Sequence, residues 1–103
     1  MFPINRKPNP TSEVHCFVTG TVQNVSFRAT TKRHADTLGL TGYVRNLLDQ
    51  RVEICIAGTK SDADQLIDLL KQEPPPIVID AVSMTVCTLK TNYHSFEIHT
   101  EVA

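Results

Sequence analysis

Residues 42–70, GYVRNLLDQRVEICIAGTKSDADQLIDLL, predict two strands followed by a helix. Residues 51–57 alternate apolar and polar side chains, and residues 42–47 precede them across a short polar link, so the two segments predict a β-hairpin. Four apolar residues then recur at i, i+3, i+4 and i+7, the spacing of a helix that buries one face. They are Ala63, Leu66, Ile67 and Leu70. Ser61, with Asp64 three residues later, predicts the start of this helix.

The segments on either side of this stretch extend the alternation of strands and helices. Residues 13–19 alternate as a first strand, and residues 28–38 are compatible with a helix that ends at a glycine. Three prolines at 74–76 end the second helix, after which residues 82–86 alternate as a strand and residues 96–98 indicate a short last one. The order predicts an α+β ferredoxin-like sandwich, βαββαβ, with an antiparallel sheet of four to five strands and both helices on one face.

Length, charge and composition exclude several classes of protein. A chain of 103 residues suffices for one domain, which we assign to residues 13–103 behind a proline-containing leader, residues 1–12. Ten Lys and Arg balance eleven Asp and Glu, so the net charge of −1 favours neither a nucleic-acid partner nor a membrane surface. Because no apolar run is long enough for a membrane span or a signal peptide, we expect a cytoplasmic protein, with a monomer as the default.

The cysteines and histidines show no spacing typical of metal sites. Cys16, Cys55 and Cys87 are odd in number and each lies in an apolar segment, which predicts three buried free thiols. The four histidines lack paired ligand spacing, so a metal site would have to be assembled entirely by tertiary contacts. We expect neither a metal nor a cofactor.

The segment from Gly20 to Arg28, GTVQNVSFR, joins the first strand directly to the N-terminus of the first helix. Backbone N–H groups at such a junction lack intrahelical partners and the helix dipole adds partial positive charge, so a phosphate can bind there. Arg28 adds a planar cation that can hold two phosphate oxygens at once. The alternative is that this short connection is only structural.

Asn46 lies near the end of a predicted strand, where asparagine is disfavoured. One explanation is turn chemistry, because Asn near a hairpin commonly hydrogen-bonds to its own backbone. The other is functional, since a carboxamide both donates and accepts hydrogen bonds and can orient a water molecule against an electrophile. The residue pattern alone leaves both open.

The loop and the hairpin together resemble one family. The stretch GTVQNVSFR resembles the G-x-V-Q-G-V-x-F-R signature of acylphosphatases. Residues 38–54, LGLTGYVRNLLDQRVEI, resemble that family's second signature, G-L-x-G-W-V-x-N followed by D-G-x-V-E. The similarity extends from about Val14 to Ile98. It implies a small metal-free hydrolase on the ferredoxin-like fold, one that converts an acyl phosphate to a carboxylate and phosphate.

The resemblance also implies a set of site residues. It places the family's catalytic Arg on Arg28 and its catalytic Asn on Asn46, with a loop whose backbone N–H groups cradle the phosphate. That loop comprises Gln23, Asn24, Val25, Ser26 and Phe27. Arg28 cannot act as a base, so we expect it to hold the phosphoryl oxygens while Asn46 positions the attacking water, whose proton passes to the substrate's own phosphate. Ser26 has no visible base, so we expect its hydroxyl to support the loop and not to act as a nucleophile.

Three positions depart from the family pattern and leave alternatives open. Asn24 and Gln50 replace glycines, and Thr21 replaces a residue that is commonly basic, so each could weaken function. Asn tolerates the left-handed region best among residues with a Cβ, and we therefore expect φ > 0 at Asn24. One alternative function is an inactive family member that binds phosphate or another small anion without turnover. An RNA-binding domain is a second, although four Phe and two Tyr without a basic cluster argue against it. The expected partners are a small acyl phosphate and phosphate as product and inhibitor.

Overall fold

A computed structural model describes residues 9–100, in which two helices pack on a five-stranded sheet. The elements in chain order are β1 (Ser12–Thr21), α1 (Phe27–Leu38), β2 (Thr41–Asn46), β3 (Val52–Ala57), α2 (Lys60–Lys71), β4 (Val78–Thr88) and β5 (Phe96–His99). The predicted βαββαβ order is confirmed, with β5 as the additional short strand. No helix within these residues combines the length and the apolar character needed to cross a bilayer.

The sheet has the strand order β4-β1-β3-β2-β5 and is mixed. β1 pairs antiparallel with β3 and β4, and β2 pairs antiparallel with β3, as predicted. The expectation of a fully antiparallel sheet is wrong for β5, which lies parallel to β2 with Gly42 opposite Phe96 and Arg45 opposite His99. The reason is that β4 ends at the end of the sheet where β2 begins, and the chain crosses to the β2 edge there before β5 starts.

The core lies between the sheet and the two helices, which contact each other on the same face. The alternation of β1 places Val14, Cys16 and Val18 toward the helices, where all three are buried. All four apolar residues that predicted the stripe of α2 are buried as well. They are Ala63, Leu66, Ile67 and Leu70. The expectation for the thiols needs correction at Cys87, which is only half-buried on the edge strand β4, whereas Cys16 and Cys55 are buried.

The first strand begins earlier than expected. Ser12, assigned from the sequence to the leader, starts β1 and its hydroxyl donates a hydrogen bond to the carbonyl of Gly58 at 2.6 Å. The backbone of Leu89 donates to the carbonyl of Thr11 at 3.0 Å. The end of the expected leader is therefore attached to the sheet, while residues 1–8 lie outside the described residues.

The predicted start of α2 is wrong by two residues. The N-cap is Thr59, whose hydroxyl accepts a hydrogen bond from the backbone N–H of Asp62 at 3.2 Å. In return the Asp62 carboxylate accepts from the backbone N–H of Thr59 at 2.9 Å, which completes a capping box. Ser61 and Asp64 lie inside the helix, where Asp64 pairs with Lys60 at 3.1 Å. The three-residue spacing between the cap and the aspartate is as predicted. It is formed, however, by Thr59 and Asp62, which lie two residues earlier than Ser61 and Asp64 and directly follow Gly58.

This difference yields a direct stability test. We expect Thr59→Ala to lower the free energy of unfolding by about 1 kcal/mol, because the backbone N–H of Asp62 loses the hydroxyl that accepts its hydrogen bond. Ser61→Ala is the matched control and should change stability by only a few tenths of a kcal/mol, since alanine is the better helix former at an exposed position. Urea denaturation of both variants measures the difference. Equal losses in the two variants would contradict the assignment of the cap to Thr59.

Candidate active site

The connection between β1 and α1 has an unusual backbone. Asn24 has φ 63° and Ser26 has φ 61°, while Val25 between them is not among the positive-φ residues. The predicted positive φ at Asn24 is confirmed. The second left-handed position, Ser26, was not predicted, because serine in sequence gives no signal for it. Left-handed residues in a loop can turn neighbouring N–H groups toward one side, which gives a concave surface for an anion.

Two buried side chains anchor this loop. Val22 and Phe27 are each 1% exposed and belong to the core, and Val25 packs against it. Burial of these apolar groups fixes both ends of the connection by removing them from water. The polar backbone of Asn24 and Ser26, which are both exposed, is left at the surface.

Within the described part of the chain, the N-terminus of α1 has no side chain that caps its backbone N–H groups or balances the positive end of the helix dipole. Ser26 occupies the N-cap position, but its side chain makes no capping hydrogen bond and the first turn holds no acidic residue. The N-terminus of α2 differs in both respects, with the Thr59 cap and Asp62 in the first turn. The first-turn N–H groups of α1 thus have no side-chain acceptor from the cap, and the positive end of the helix dipole has no carboxylate beside it.

The side chain of Gln23 ties the loop to the hairpin between β2 and β3. Its amide nitrogen donates to the carbonyls of Leu47 and Arg51, each at 2.9 Å. Leu47 directly follows Asn46, so these two bonds hold the loop against the end of β2. The sequence implied only a backbone role for Gln23 and gave no signal for this contact, since neither partner is near it in the chain.

Arg28 is the second residue of α1 and extends toward the same end of β2. Its guanidinium Nη1 donates to the carbonyl of His99 at 3.2 Å. In the parallel pairing of β2 with β5, His99 lies opposite Arg45, the residue before Asn46. Within residues 9–100, Arg28 forms no ion pair with a carboxylate. The structure thereby brings Arg28, the loop and Asn46 to one end of the sheet.

Asn46 is the last residue of β2 and lies opposite Val52 of β3. Its side-chain oxygen Oδ1 is buried and has no hydrogen-bond partner among the described residues. The hairpin that follows is closed by backbone hydrogen bonds between Leu47 and Arg51 and between Leu47 and Gln50, and neither uses the Asn46 side chain. Turn chemistry therefore does not explain Asn46. Buried carbonyl oxygens nearly always have a partner, so this one is exceptional.

The hairpin itself accommodates one departure from the family pattern. Gln50, which stands where glycine is usual, has φ 76° and keeps the left-handed conformation despite its Cβ. Asp49 supports the turn by accepting hydrogen bonds from the backbone N–H of Arg51 at 3.2 Å and from its side-chain Nε at 2.8 Å. These bonds lower the pKa of Asp49 from its ordinary value, the backbone bond contributing most. The replacement thus costs backbone strain without changing the turn.

Two other concave or polar regions are separate from this site. A groove at the opposite end of the sheet is lined in part by Ser12, Thr41 and Gly58 and contains neither Arg28 nor Asn46. A cluster of potential metal ligands, which are Glu13, His15 and Cys55, arises from tertiary contacts within β1 and β3. The sequence could not reveal this cluster, because its members are not spaced as a motif.

Comparison with known proteins agrees with this geometry. The acylphosphatase family model matches residues 14–98. The chain is 49% identical over 72 residues to the acylphosphatase of Caldivirga maquilingensis, covering 69% of this chain and 76% of the relative. It is 46% identical over 68 residues to that of Alkalilimnicola ehrlichii, covering 66% and 76%. The crystal structure of acylphosphatase from Bacillus subtilis superposes with a TM-score of 0.76 at 30% identity, covering 85% of this chain and 98% of that one. The chain belongs to the acylphosphatase family.

Proposed function

We propose that this protein hydrolyses small acyl phosphates, with Arg28 and the backbone of residues 23–27 binding the phosphate and Asn46 positioning the attacking water. The observation that carries the proposal is the N-terminus of α1, which has neither a side-chain cap nor an acidic residue, whereas α2 has both. A phosphate at this position accepts hydrogen bonds from the first-turn N–H groups, and its negative charge is attracted by the positive end of the helix dipole. The family supports the same chemistry.

Arg28 supplies the full positive charge beside these N–H groups. Its contact with the carbonyl of His99 occupies one donor and orients the guanidinium, which leaves further donors for phosphoryl oxygens. The guanidinium remains protonated at physiological pH, so it stabilises negative charge and does not transfer protons. It acts most strongly on the charge that moves onto the phosphoryl oxygens in the transition state.

The side chain of Asn46 has the chemistry to accept a hydrogen bond from the attacking water and to orient it. Within residues 9–100, Oδ1 is buried without a partner in this conformation, so a rotation of the carboxamide would be needed to expose it. A water that then donates a hydrogen bond to Oδ1 would satisfy that atom and keep a lone pair directed at phosphorus. The water oxygen then forms a bond to phosphorus while the bond from phosphorus to the acyl oxygen breaks, and the carboxylate leaves with the electron pair. The water proton passes to a phosphoryl oxygen. Carboxylic acids have a pKa of about 4, so the leaving group requires no protein acid.

A covalent intermediate on the protein has little support. Ser26 is the only hydroxyl in the loop from Gln23 to Phe27, and no histidine or carboxylate of the described residues hydrogen-bonds to it. Without a base a serine hydroxyl is a weak nucleophile. The expectation that its hydroxyl supports the loop needs correction, because the hydroxyl makes no capping hydrogen bond, and the residue contributes its left-handed N-cap backbone.

An inactive phosphate-binding domain is the alternative that the departures from the family pattern raised. Two of the three departures are Asn24 and Gln50, and both keep positive φ where the family has glycine. The third, Thr21, is exposed at the end of β1, where it still pairs with Val78 of β4. The departures therefore favour an active enzyme over an inactive one. For its location we propose a reducing compartment such as the cytoplasm, because Cys16, Cys55 and Cys87 are free thiols.

The first test removes the planar cation. We expect Arg28→Ala and Arg28→Lys each to lower kcat/KM for benzoyl phosphate by at least about 100-fold, because a bidentate pair of charge-assisted hydrogen bonds is lost. The native protein should show competitive inhibition by inorganic phosphate, and both variants should lose it. Steady-state kinetics with circular dichroism as the folding control measure these effects. Near-native turnover by Arg28→Lys would remove Arg28 from the mechanism.

The second test separates water positioning from phosphate binding. We expect Asn46→Ala to lower kcat by about 100-fold while the Kd for phosphate changes little, because the side chain acts on the attacking water and not on the bound anion. Calorimetric titration with phosphate measures the second quantity. Parallel loss of phosphate affinity and activity would instead make Asn46 part of the anion cradle.

The third test addresses the left-handed loop. We expect Asn24→Gly to have equal or higher activity, with a change in the free energy of unfolding below about 1 kcal/mol, because relief of strain is opposed by glycine's greater freedom in the unfolded chain. Asn24→Val should lose most activity, since a β-branched residue cannot hold φ near 63° cheaply. Benzoyl phosphate hydrolysis and urea denaturation measure both effects. Comparable activity in the Gly and Val variants would show that the loop conformation is not required.

A further inference from the structure

The sheet face away from the helices carries a polar cluster, which we define as Glu13, His15, Glu53 and Cys55. Side chains alternate along a strand, so residues 13 and 15 of β1 lie opposite in direction to the core residues 14, 16 and 18. In the antiparallel register His15 lies directly across from Cys55. Glu13 and Glu53 are 3% and 4% exposed, and Cys55 is fully buried. The cluster therefore joins the two central strands, β1 and β3.

Three different ligand atoms converge within this cluster. His15 Nε2 lies 2.5 Å from Glu13 Oε2 and 3.8 Å from Cys55 Sγ. These three atoms all lie within 4.8 Å of one another. Zinc bonds of about 2.0–2.3 Å place tetrahedral ligand atoms about 3.3–3.6 Å apart. The nitrogen-to-sulfur distance is thus already close, and the nitrogen-to-oxygen distance must open by about 0.8 Å to admit the ion.

The other ring nitrogen of His15, Nδ1, lies beside a carboxylate, as is usual for histidines that bind zinc. Nδ1 lies 3.0 Å from Glu53 Oε2, so a proton on Nδ1 leaves the Nε2 lone pair directed at Glu13 and Cys55. Metal-binding histidines nearly always donate their other N–H to a carboxylate or carbonyl in this way. Glu53 is itself fixed, with Oε1 2.7 Å from Arg45 Nε and Oε2 3.1 Å from the Tyr43 hydroxyl. The orientation of His15 is therefore set before any metal arrives.

We propose that Glu13, His15 and Cys55 bind a zinc ion, with Glu53 as the positioning residue that orients His15. Three protein ligands leave a fourth tetrahedral position for water. The Tyr93 hydroxyl lies 3.8 Å from Cys55 Sγ and covers the sulfur from the segment after β4. The ion ties β1 to β3 on the face that no helix covers. It contacts neither Arg28 nor Asn46, so this inference is independent of the proposed hydrolysis.

The experiment is a metal titration of the untagged full chain after chelator dialysis. Calorimetry should show one zinc ion per chain with a Kd of about 1 µM or lower at pH 7.5. Cobalt as a spectroscopic substitute should give a thiolate-to-metal charge-transfer band and the intense visible bands of tetrahedral coordination.

Single variants identify the ligands. Cys55→Ala should abolish the charge-transfer band, and both Cys55→Ala and His15→Gln should weaken zinc binding at least about 100-fold. Glu53→Gln should weaken binding about 10-fold to 100-fold yet keep the band, as expected of a residue that acts through His15. Cys87→Ala is the matched control, because this thiol lies across from Glu13 on β4 and should not be needed. Circular dichroism confirms that each variant is folded.

Three results would overturn the proposal. The first is a native, folded protein with a zinc Kd weaker than about 100 µM at pH 7.5. The second is binding that survives both Cys55→Ala and His15→Gln, which would place the ion elsewhere. The third is loss of binding in Cys87→Ala with retention in Cys55→Ala, which would assign the thiolate to the other cysteine.

Discussion

The connection from β1 to α1 is constrained by the burial of Val22 and Phe27 at its two ends, and the remaining conformation follows from that constraint. The chain between them must turn within four residues, which it does with left-handed backbone at Asn24 and Ser26. An N-cap residue normally has extended backbone, from which its side chain reaches the N–H groups of the first turn. Ser26, with φ 61° and ψ 23°, cannot use its hydroxyl in this way. The uncapped helix end is therefore a product of the loop conformation.

The two helices of this small domain show how such an end can be distinguished from an ordinary one. Thr59 and Asp62 satisfy the donors of α2 reciprocally, and a cap of this kind contributes about 1 kcal/mol to stability. α1 forgoes that stabilisation, although a serine is present at the correct position. A bound anion would offset the loss only while it is bound. Of the two helices, α1 is therefore the one whose N-terminal N–H groups would gain hydrogen bonds from a bound anion.

Local patterns predicted most of the fold because the apolar face of each core element is regular, although β3 buries its other face as well. Val52, Ile54 and Ile56 on β3 and the stripe of α2 follow from periodicities that tertiary contacts did not override. The direction of β5 could not be predicted, since a four-residue strand has no local signal for its partner. The start of α2 was misplaced because Thr59 and Ser61 both precede an aspartate by three residues, and only burial and the turn at Gly58 select between them.

In the candidate site, too, the features set by local sequence could be predicted and those set by tertiary contacts could not. The positive φ of Asn24 follows from the chemistry of one residue in a short loop, so sequence could predict it. The contacts of Gln23 with Leu47 and Arg51, and of Arg28 with His99, join residues far apart in the chain and depend on the completed sheet. Sequence named the side chains that converge but not the bonds that hold them.

The register between β1 and β3 links the two ends of the molecule. The same antiparallel pairing places His15 opposite Cys55 and Val18 opposite Val52, and Val52 in turn lies opposite Asn46 on β2. A slip of one residue would exchange the faces of β1, burying Glu13 and His15 among the core residues and exposing Val14, Cys16 and Val18. Two buried carboxylates in an apolar core would be far more costly than in a cluster where His15 and Arg45 pair with them. The polar cluster therefore specifies the register from one face while the apolar core specifies it from the other. Because Asn46 pairs with Val52, which pairs with Val18, the position of Asn46 relative to β1 follows from this register.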